Sequence, residues 1–134
     1  QADRSLLAQA MDEGLRWEPP LPSIARWSTA DAIVDGVPVA AQSVINVNMG
    51  AANRDEKRWE RPDQFDIFRP PLQHVSFALG PHTCLGMHLA RMETKVAMET
   101  ILDRLPKLRL DPTADDVHIS GRAFRSPRSL PVLC

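Results

Sequence analysis

The 134 residues suffice for one domain of ordinary size, and an apolar content of 43% can supply a core. Sixteen Lys and Arg against seventeen Asp and Glu leave a net charge of −1, so no global field marks the chain for nucleic acid or an anionic membrane. No apolar run approaches the roughly 20 residues of a membrane span, no signal peptide is evident, and two cysteines, Cys84 and Cys134, are too few for a disulfide framework; a cytoplasmic setting is the expectation.

In chain order, Leu6, Leu7, Ala10, Met11 and Leu15 recur at helical spacing within Asp3 to Trp17, which predicts an amphipathic helix ended by the prolines of "EPPLP". A small β unit follows between Ile24 and Val47, where "DAIV" and "VPV" flank Asp35-Gly36, a dipeptide that favours a two-residue hairpin turn. From Asn48 to Thr83 neither period is convincing beyond a helical turn near Met49 to Ala52, and Pro62, Pro70, Pro71 and Pro81 keep the stretch irregular. Coil of this length exceeds the roughly 12–15 residues usual in a compact domain. Trp59, Phe65 and Phe68 argue that it packs rather than floats.

From Leu85 to Leu105 apolar residues recur as a broad stripe that includes Leu89, Met92, Val96 and Ile101, predicting a long, largely buried helix stopped by Pro106. The tail from His118 to Val132 reads as one or two short strands around Gly121.

Between the coil and the long helix lies "FALGPHTCLG", Phe77 to Gly86. The pattern places Cys84 at the first turn of the helix, where unpaired backbone N–H groups favour an anion, so both nucleophilic catalysis and metal ligation by a thiolate are open. Gly80-Pro81 makes a tight turn. Gly86 lets something flat and bulky approach the backbone, and the N–H groups of Leu85 and Gly86 are placed to tune a ligating sulfur. A buried, inert cysteine is the plainer alternative.

This stretch resembles the haem-binding loop of the cytochrome P450 family, Phe-x-x-Gly-x-x-x-Cys-x-Gly. "EGLR" at Glu13 to Arg16 is similar to the family's Glu-x-x-Arg helix motif, and "RWEPP", "AANRD", "RPDQFD" and "HLAR" fall in the family's order. The resemblance implies a mainly α fold with small β-sheets and a long coil, with residues 1–134 as the carboxyl-terminal portion of the domain. Cys84 would be the axial thiolate of haem b (iron protoporphyrin IX), Phe77 would shield the sulfur, and His82 and Arg26 would meet the haem propionates. Glu13 and Arg16 would be buried and pin the coil beneath the haem, with Gln64 standing where the family often has Arg or His and Arg69 as the nearest substitute.

Two departures from the family pattern are visible. Ala78 stands where Gly, Ser, Asn or His is usual, and "AAQ" at Ala40 to Gln42 replaces a Pro-Ala-Gly turn. The family's central helix, with its acid–alcohol pair for proton delivery, is not among these residues, so no catalytic residue beyond the haem ligand is expected in them. The implied reaction inserts one oxygen atom of O2 into a small organic substrate and reduces the other to water. Electrons would come from NAD(P)H through a reductase and a ferredoxin, with Arg91 either a docking contact or a packing residue; neither nucleic acid nor membrane is an expected partner. Two other readings stay open: a haem-free remnant acting through exposed apolar surface, and a cysteine nucleophile pairing Cys84 with His82 or His88.

Overall fold

A computed structural model describes residues 3–115 and 117–134. The expected first helix begins as a 3-10 turn, Arg4–Leu6, capped by Asp3, whose carboxylate accepts from the Ser5 N–H at 2.9 Å. It continues as α1, Leu7–Trp17, and the prolines that follow end it. Next come β1, Ser23–Trp27, and β4, Val44–Asn48, an antiparallel ladder running from Ser23↔Asn48 to Trp27↔Val44. Inside this ladder the chain folds out as the hairpin of β2, Ala32–Val34, and β3, Val37–Val39. Asp35 and Gly36 both have positive φ, 48° and 80°, as the tight turn predicted from that dipeptide requires.

A single helical turn, α2, Met49–Ala52, opens the coil and is capped by the Asn48 side chain, which accepts from the Ala51 N–H at 2.9 Å. No helix or strand interrupts residues 53–79. The long helix α3 is Met87–Arg104. Beyond it, β5, Arg109–Leu110, pairs with β8, Val132–Leu133, while β6, Ile119–Ser120, pairs with β7, Ser126–Pro127. The tail thus holds two short ladders where one or two strands around Gly121 were expected. Gly121 is required at its turn: φ is +108° and a Cβ would lie 2.0 Å from the Phe124 carbonyl oxygen. This is a helical fold with small β-sheets and a long coil.

Its interior is unusual. Among the described residues the buried large apolar side chains are Leu7, Met49 and Trp59, alongside the buried polar residues Glu13, Arg16, Asn53, Arg69 and His74. The expectation that α3 is largely buried fails, because none of its residues is buried and Leu89, Met92 and Val96 are each more than half exposed. An apolar stripe reports that a face avoids water, not that its cover lies within the same stretch of chain. The coil aromatics divide in the same way. Trp59 is buried, but Phe65 meets only the edge of Trp17 at 6.3 Å and Phe68 stands in solvent. Ion pairs tie α3 back to the amino-terminal segment, Arg4–Asp103 at 2.7 Å and Arg91–Asp12 at 3.0 Å.

Candidate cofactor site

Local backbone geometry builds the Phe77–Gly86 loop. Ala78 adopts φ +57°, its N–H donating to the Val75 carbonyl at 2.8 Å, and Gly80 adopts φ +68°. The left-handed backbone at Ala78 explains why a residue tolerant of that region is usual there. Gly80–His82 is a 3-10 turn with Pro81 inside it, and Thr83 closes it by donating its N–H to the Gly80 carbonyl at 3.0 Å. The Cys84 N–H then donates to the Phe77 carbonyl at 2.8 Å, so the two ends of the loop are stitched together. Cys84 does not sit in the first turn of α3 as expected. A turn at Leu85 and Gly86 intervenes, with the Met87 N–H reaching the Cys84 carbonyl at 3.2 Å, because the chain must change direction before the helix starts.

Cys84 is exposed. It faces a mainly apolar cavity of about 690 Å3 that it shares with Arg26, Phe77 and His82. These four residues, chosen from sequence, are brought together; Gly80, Leu85 and Gly86 belong to the loop but do not line the cavity. Arg26 lies on β1 and spends one N–H on the Ala25 carbonyl at 2.9 Å, leaving its guanidinium exposed. Leu85 is fully exposed beside the cysteine. Among the described residues no hydrogen bond links the Cys84 sulfur to His82 or His88, as a Cys–His nucleophile would need.

The donor set fits a haem. No group of three or more His, Cys, Asp or Glu side chains among the described residues could hold a bare metal ion. A single thiolate of this kind suits a metal that brings its other ligands with it, as a macrocycle does. Among the described residues other than its chain neighbours, a Cβ added at Gly86 would meet only the Cys84 sulfur, at 3.9 Å, so space is open there beside the Cys84 loop. The apolar walls suit a flat ring, and the Arg26 guanidinium and the His82 imidazole can both donate to its carboxylates.

Beneath the loop lies the Glu13–Arg16 network. Arg16, 1% exposed, donates to both Glu13 oxygens at 2.7 and 2.8 Å and to the carbonyls of Asn53, Pro62 and Gln64 at 2.9, 2.9 and 3.0 Å. Glu13 Oε1 also accepts from the Asp66 N–H at 2.9 Å and from Arg69 Nε at 3.3 Å. Arg69 further donates to the carbonyls of Glu60, Arg61 and Gln64. The third charged side chain of the network is thus Arg69, and Gln64 enters through its backbone. Burial pushes the Glu13 carboxyl up, but the bonds from Arg16, Asp66 and Arg69 outweigh it and hold the group below the usual carboxylate range.

Sequence reasoning did not single out Asn53, although it lies in "AANRD". Buried at 1% exposure, its side chain donates to Ser76 Oγ at 2.8 Å and accepts from the Val75 N–H at 2.8 Å. Ser76 Oγ in turn donates to the Leu15 carbonyl at 2.7 Å. Asn53 therefore fixes the approach to Phe77 against α1.

The cytochrome P450 family model matches residues 1–127. The chain belongs to the cytochrome P450 family. Over 98% of its length it is 41% identical to a steroid C26-monooxygenase of Mycolicibacterium smegmatis, and over 90% it is 46% identical to the 20-oxo-5-O-mycaminosyltylactone 23-monooxygenase of Streptomyces fradiae. The solved structure of a cytochrome P450-like monooxygenase involved in microbial secondary metabolism superposes with a TM-score of 0.92 at 39% identity, over 98% of this chain and 36% of that one. P450BioI, solved with an acyl carrier protein ligated to hexadec-9Z-enoic acid, gives 0.88 at 38% identity, over 97% and 33% of the two chains. The chain spans about a third of the length of these P450 relatives. The family is one of haem-containing oxidoreductases, and among the described residues no helix is long and apolar enough to cross a membrane.

Proposed function

We propose that this chain is the carboxyl-terminal, ligand-bearing part of a haem-thiolate monooxygenase. The observation that carries the reading is the meeting of Cys84, Phe77, His82 and Arg26 on one apolar cavity, in a chain of this family. Cys84 would supply a thiolate ligand to haem b, His82 and Arg26 would hold its propionates, Phe77 would keep water from the sulfur, and Gly80, Leu85 and Gly86 would shape the loop. Bound there, haem supplies the redox chemistry that places one oxygen atom of O2 into a small organic substrate. The residues of this chain ligate, orient and exclude water. Electrons are drawn from NAD(P)H through a reductase and ferredoxin in the cytoplasm. Relatives named for two different substrates match at 41% and 46% identity, so the substrate class stays at an organic molecule.

The deciding experiment replaces Cys84 by Ser in the full-length haem-loaded protein. The red-shifted Soret band of a ferrous thiolate–CO complex is expected to disappear, because an oxygen ligand lacks the softness and electron donation of a thiolate. Retention of that band by Cys84→Ser would overturn the ligand assignment, and Cys134→Ser is expected to leave it intact.

A second expectation concerns the 134-residue chain by itself. Apolar burial contributes about 25 cal/mol per Å2, so a haem covered on only one side forfeits several kcal/mol of binding, and the exposed face of α3 favours aggregation. Titrated with hemin, the chain alone is expected to bind weakly and to show no turnover with reductase, ferredoxin and NAD(P)H. Tight stoichiometric binding with substrate oxidation would contradict this.

A further inference from the structure

Asp12, His74 and Arg91 come from three separate segments and meet around the Phe77 ring, and the proposed haem contacts leave their arrangement unexplained. Arg91 Nη2 donates to Asp12 Oδ1 at 3.0 Å, bridging α3 to α1 across 79 positions of sequence. The same guanidinium stands 5.4 Å from the centre of the Phe77 ring. His74, with its side chain 5% exposed, lies on the ring as well, at 6.0 Å and 40°. Its Nδ1 accepts from the Ser76 N–H at 3.2 Å, which leaves the proton of the neutral imidazole on Nε2. That atom is 3.7 Å from Asp12 Oδ1, too far for a hydrogen bond but directed by the same carboxylate.

Two donors here, His74 Nε2 and Arg91 Nε, are buried with no hydrogen-bond partner among the described residues. Such groups are costly unless a neighbouring charge compensates them, and Asp12 is the carboxylate at hand. Asp12 is half-exposed on α1, next to Glu13, whose side chain is locked into the buried network with Arg16 and Arg69. The Phe77 ring therefore neighbours an imidazole and a guanidinium that share one carboxylate, and the Phe77 carbonyl receives the Cys84 N–H.

We propose that Asp12, acting through Arg91 and His74, is the positioning residue for Phe77 and hence for the seat of the Cys84 loop. This rests on Cys84 being the haem ligand only for its consequence in the loaded protein; the link from Asp12 to the loop exists in the chain itself. Without the carboxylate, the Arg91 guanidinium gains more by turning to water than by staying over the ring. Phe77 then loses one wall, and the loop it closes loosens.

The test uses the full-length protein carrying this chain and two readouts. In the haem-free form, amide exchange at Cys84 reports the bond to the Phe77 carbonyl. Asp12→Asn is expected to raise that rate about tenfold while amides in the middle of α3, such as Thr94, are unchanged. Arg91→Lys keeps a charge for Asp12 but cannot stack its plane on the ring, and is expected to fall between wild type and Asp12→Asn. In the haem-loaded form, the ferrous–CO complex of Asp12→Asn is expected to lose its thiolate-type band several times faster than wild type, with Arg91→Lys again between.

Unchanged Cys84 exchange in Asp12→Asn would overturn the proposal. So would an equal acceleration across α1 and α3, which would make Asp12 a general stability residue. Should Asp12→Asn not fold, Arg91→Lys decides alone by the same Cys84 readout. A wild-type protein without a thiolate band would remove the ligand reading, whereas the haem-free exchange data would still judge the link from Asp12 to Phe77.

Discussion

Around Arg16 all five guanidinium N–H groups are used and water is excluded, whereas along α3 and the Cys84 loop apolar side chains stand in solvent beside an exposed thiol. The first region closes on itself: a helix, a coil and three charged side chains satisfy one another without help. The second leaves apolar surface open. Leu85 is fully exposed and Leu89, Met92 and Val96 are each more than half exposed, yet the backbone beneath them is well ordered by hydrogen bonds. A self-satisfied polar anchor next to an apolar face is what a platform for a large ligand and further packing requires.

The largest test of that contrast is Glu13→Ala in the full-length protein. It leaves Arg16 and Arg69 buried without their carboxylate, and breaking a buried pair in this way costs about 3–5 kcal/mol. Asp103→Ala breaks the exposed pair with Arg4 and is expected to cost at most about 1 kcal/mol. Denaturant unfolding of both variants measures the gap, and haem retention should follow it. Glu13→Ala protein that unfolds at the same denaturant concentration as Asp103→Ala would show that the anchor contributes no more than surface charge.

A second, smaller effect separates the two regions by pH. Burial holds the His74 imidazole below its ordinary range, a shift that Asp12 opposes and that Arg91 and Arg16 reinforce. The folded ring is therefore neutral where the unfolded one, with a pKa of about 6.5, takes up a proton. Below about pH 6.5 the unfolded state binds more protons, so stability falls as pH falls through that window. Glu13 has the same sign at a lower window: its folded carboxyl titrates below the unfolded value of about 4.3, so the stability it contributes is present above that pH and lost beneath it. Unfolding free energies between pH 7 and 5 are expected to decline in wild type and to flatten in His74→Gln. An identical slope in both would show that His74 does not titrate differently in the fold.

How much of this the sequence shows depends on how local each cause is. Asp35-Gly36 specifies its own turn, and the prolines after Trp17 and Leu105 end α1 and α3 by removing donors, so those elements are readable in order. Two-residue strands such as β5 and β7 are shorter than any period and owe their existence to partners about 24 and 7 positions away. The apolar residues of α3 recur around most of the helix rather than along one face, and they say nothing of what covers them. At the site, motif spacing places Cys84, Phe77, His82 and Arg26, and their meeting on one cavity follows. The contacts of Asp12 with His74 and Arg91 have no local signature, since each joins segments tens of residues apart.

The finest prediction compares two non-glycine residues held at positive φ, one outside the Cys84 loop and one within it: Gln42 at +65° in the β unit and Ala78 at +57° in the loop. Left-handed backbone costs a residue with a Cβ about 1–2 kcal/mol, and glycine returns about 0.5–1 kcal/mol of that through its greater freedom when unfolded. The net gain from Gln42→Gly or Ala78→Gly is therefore about 0.5–1 kcal/mol. In the β unit the strain is local, because Gln42 only donates its N–H to the Ser28 carbonyl at 2.8 Å, so Gln42→Gly is expected to raise the melting temperature and leave the haem spectrum unchanged. In the loop, Ala78 follows Phe77 and lines both cavities beside it, so Ala78→Gly is expected to raise the melting temperature by a similar amount but to speed amide exchange at Cys84. The side chain at position 78 restrains the loop even while its backbone is strained. A lower melting temperature for both variants would show that neither turn carries the strain its dihedral angle implies.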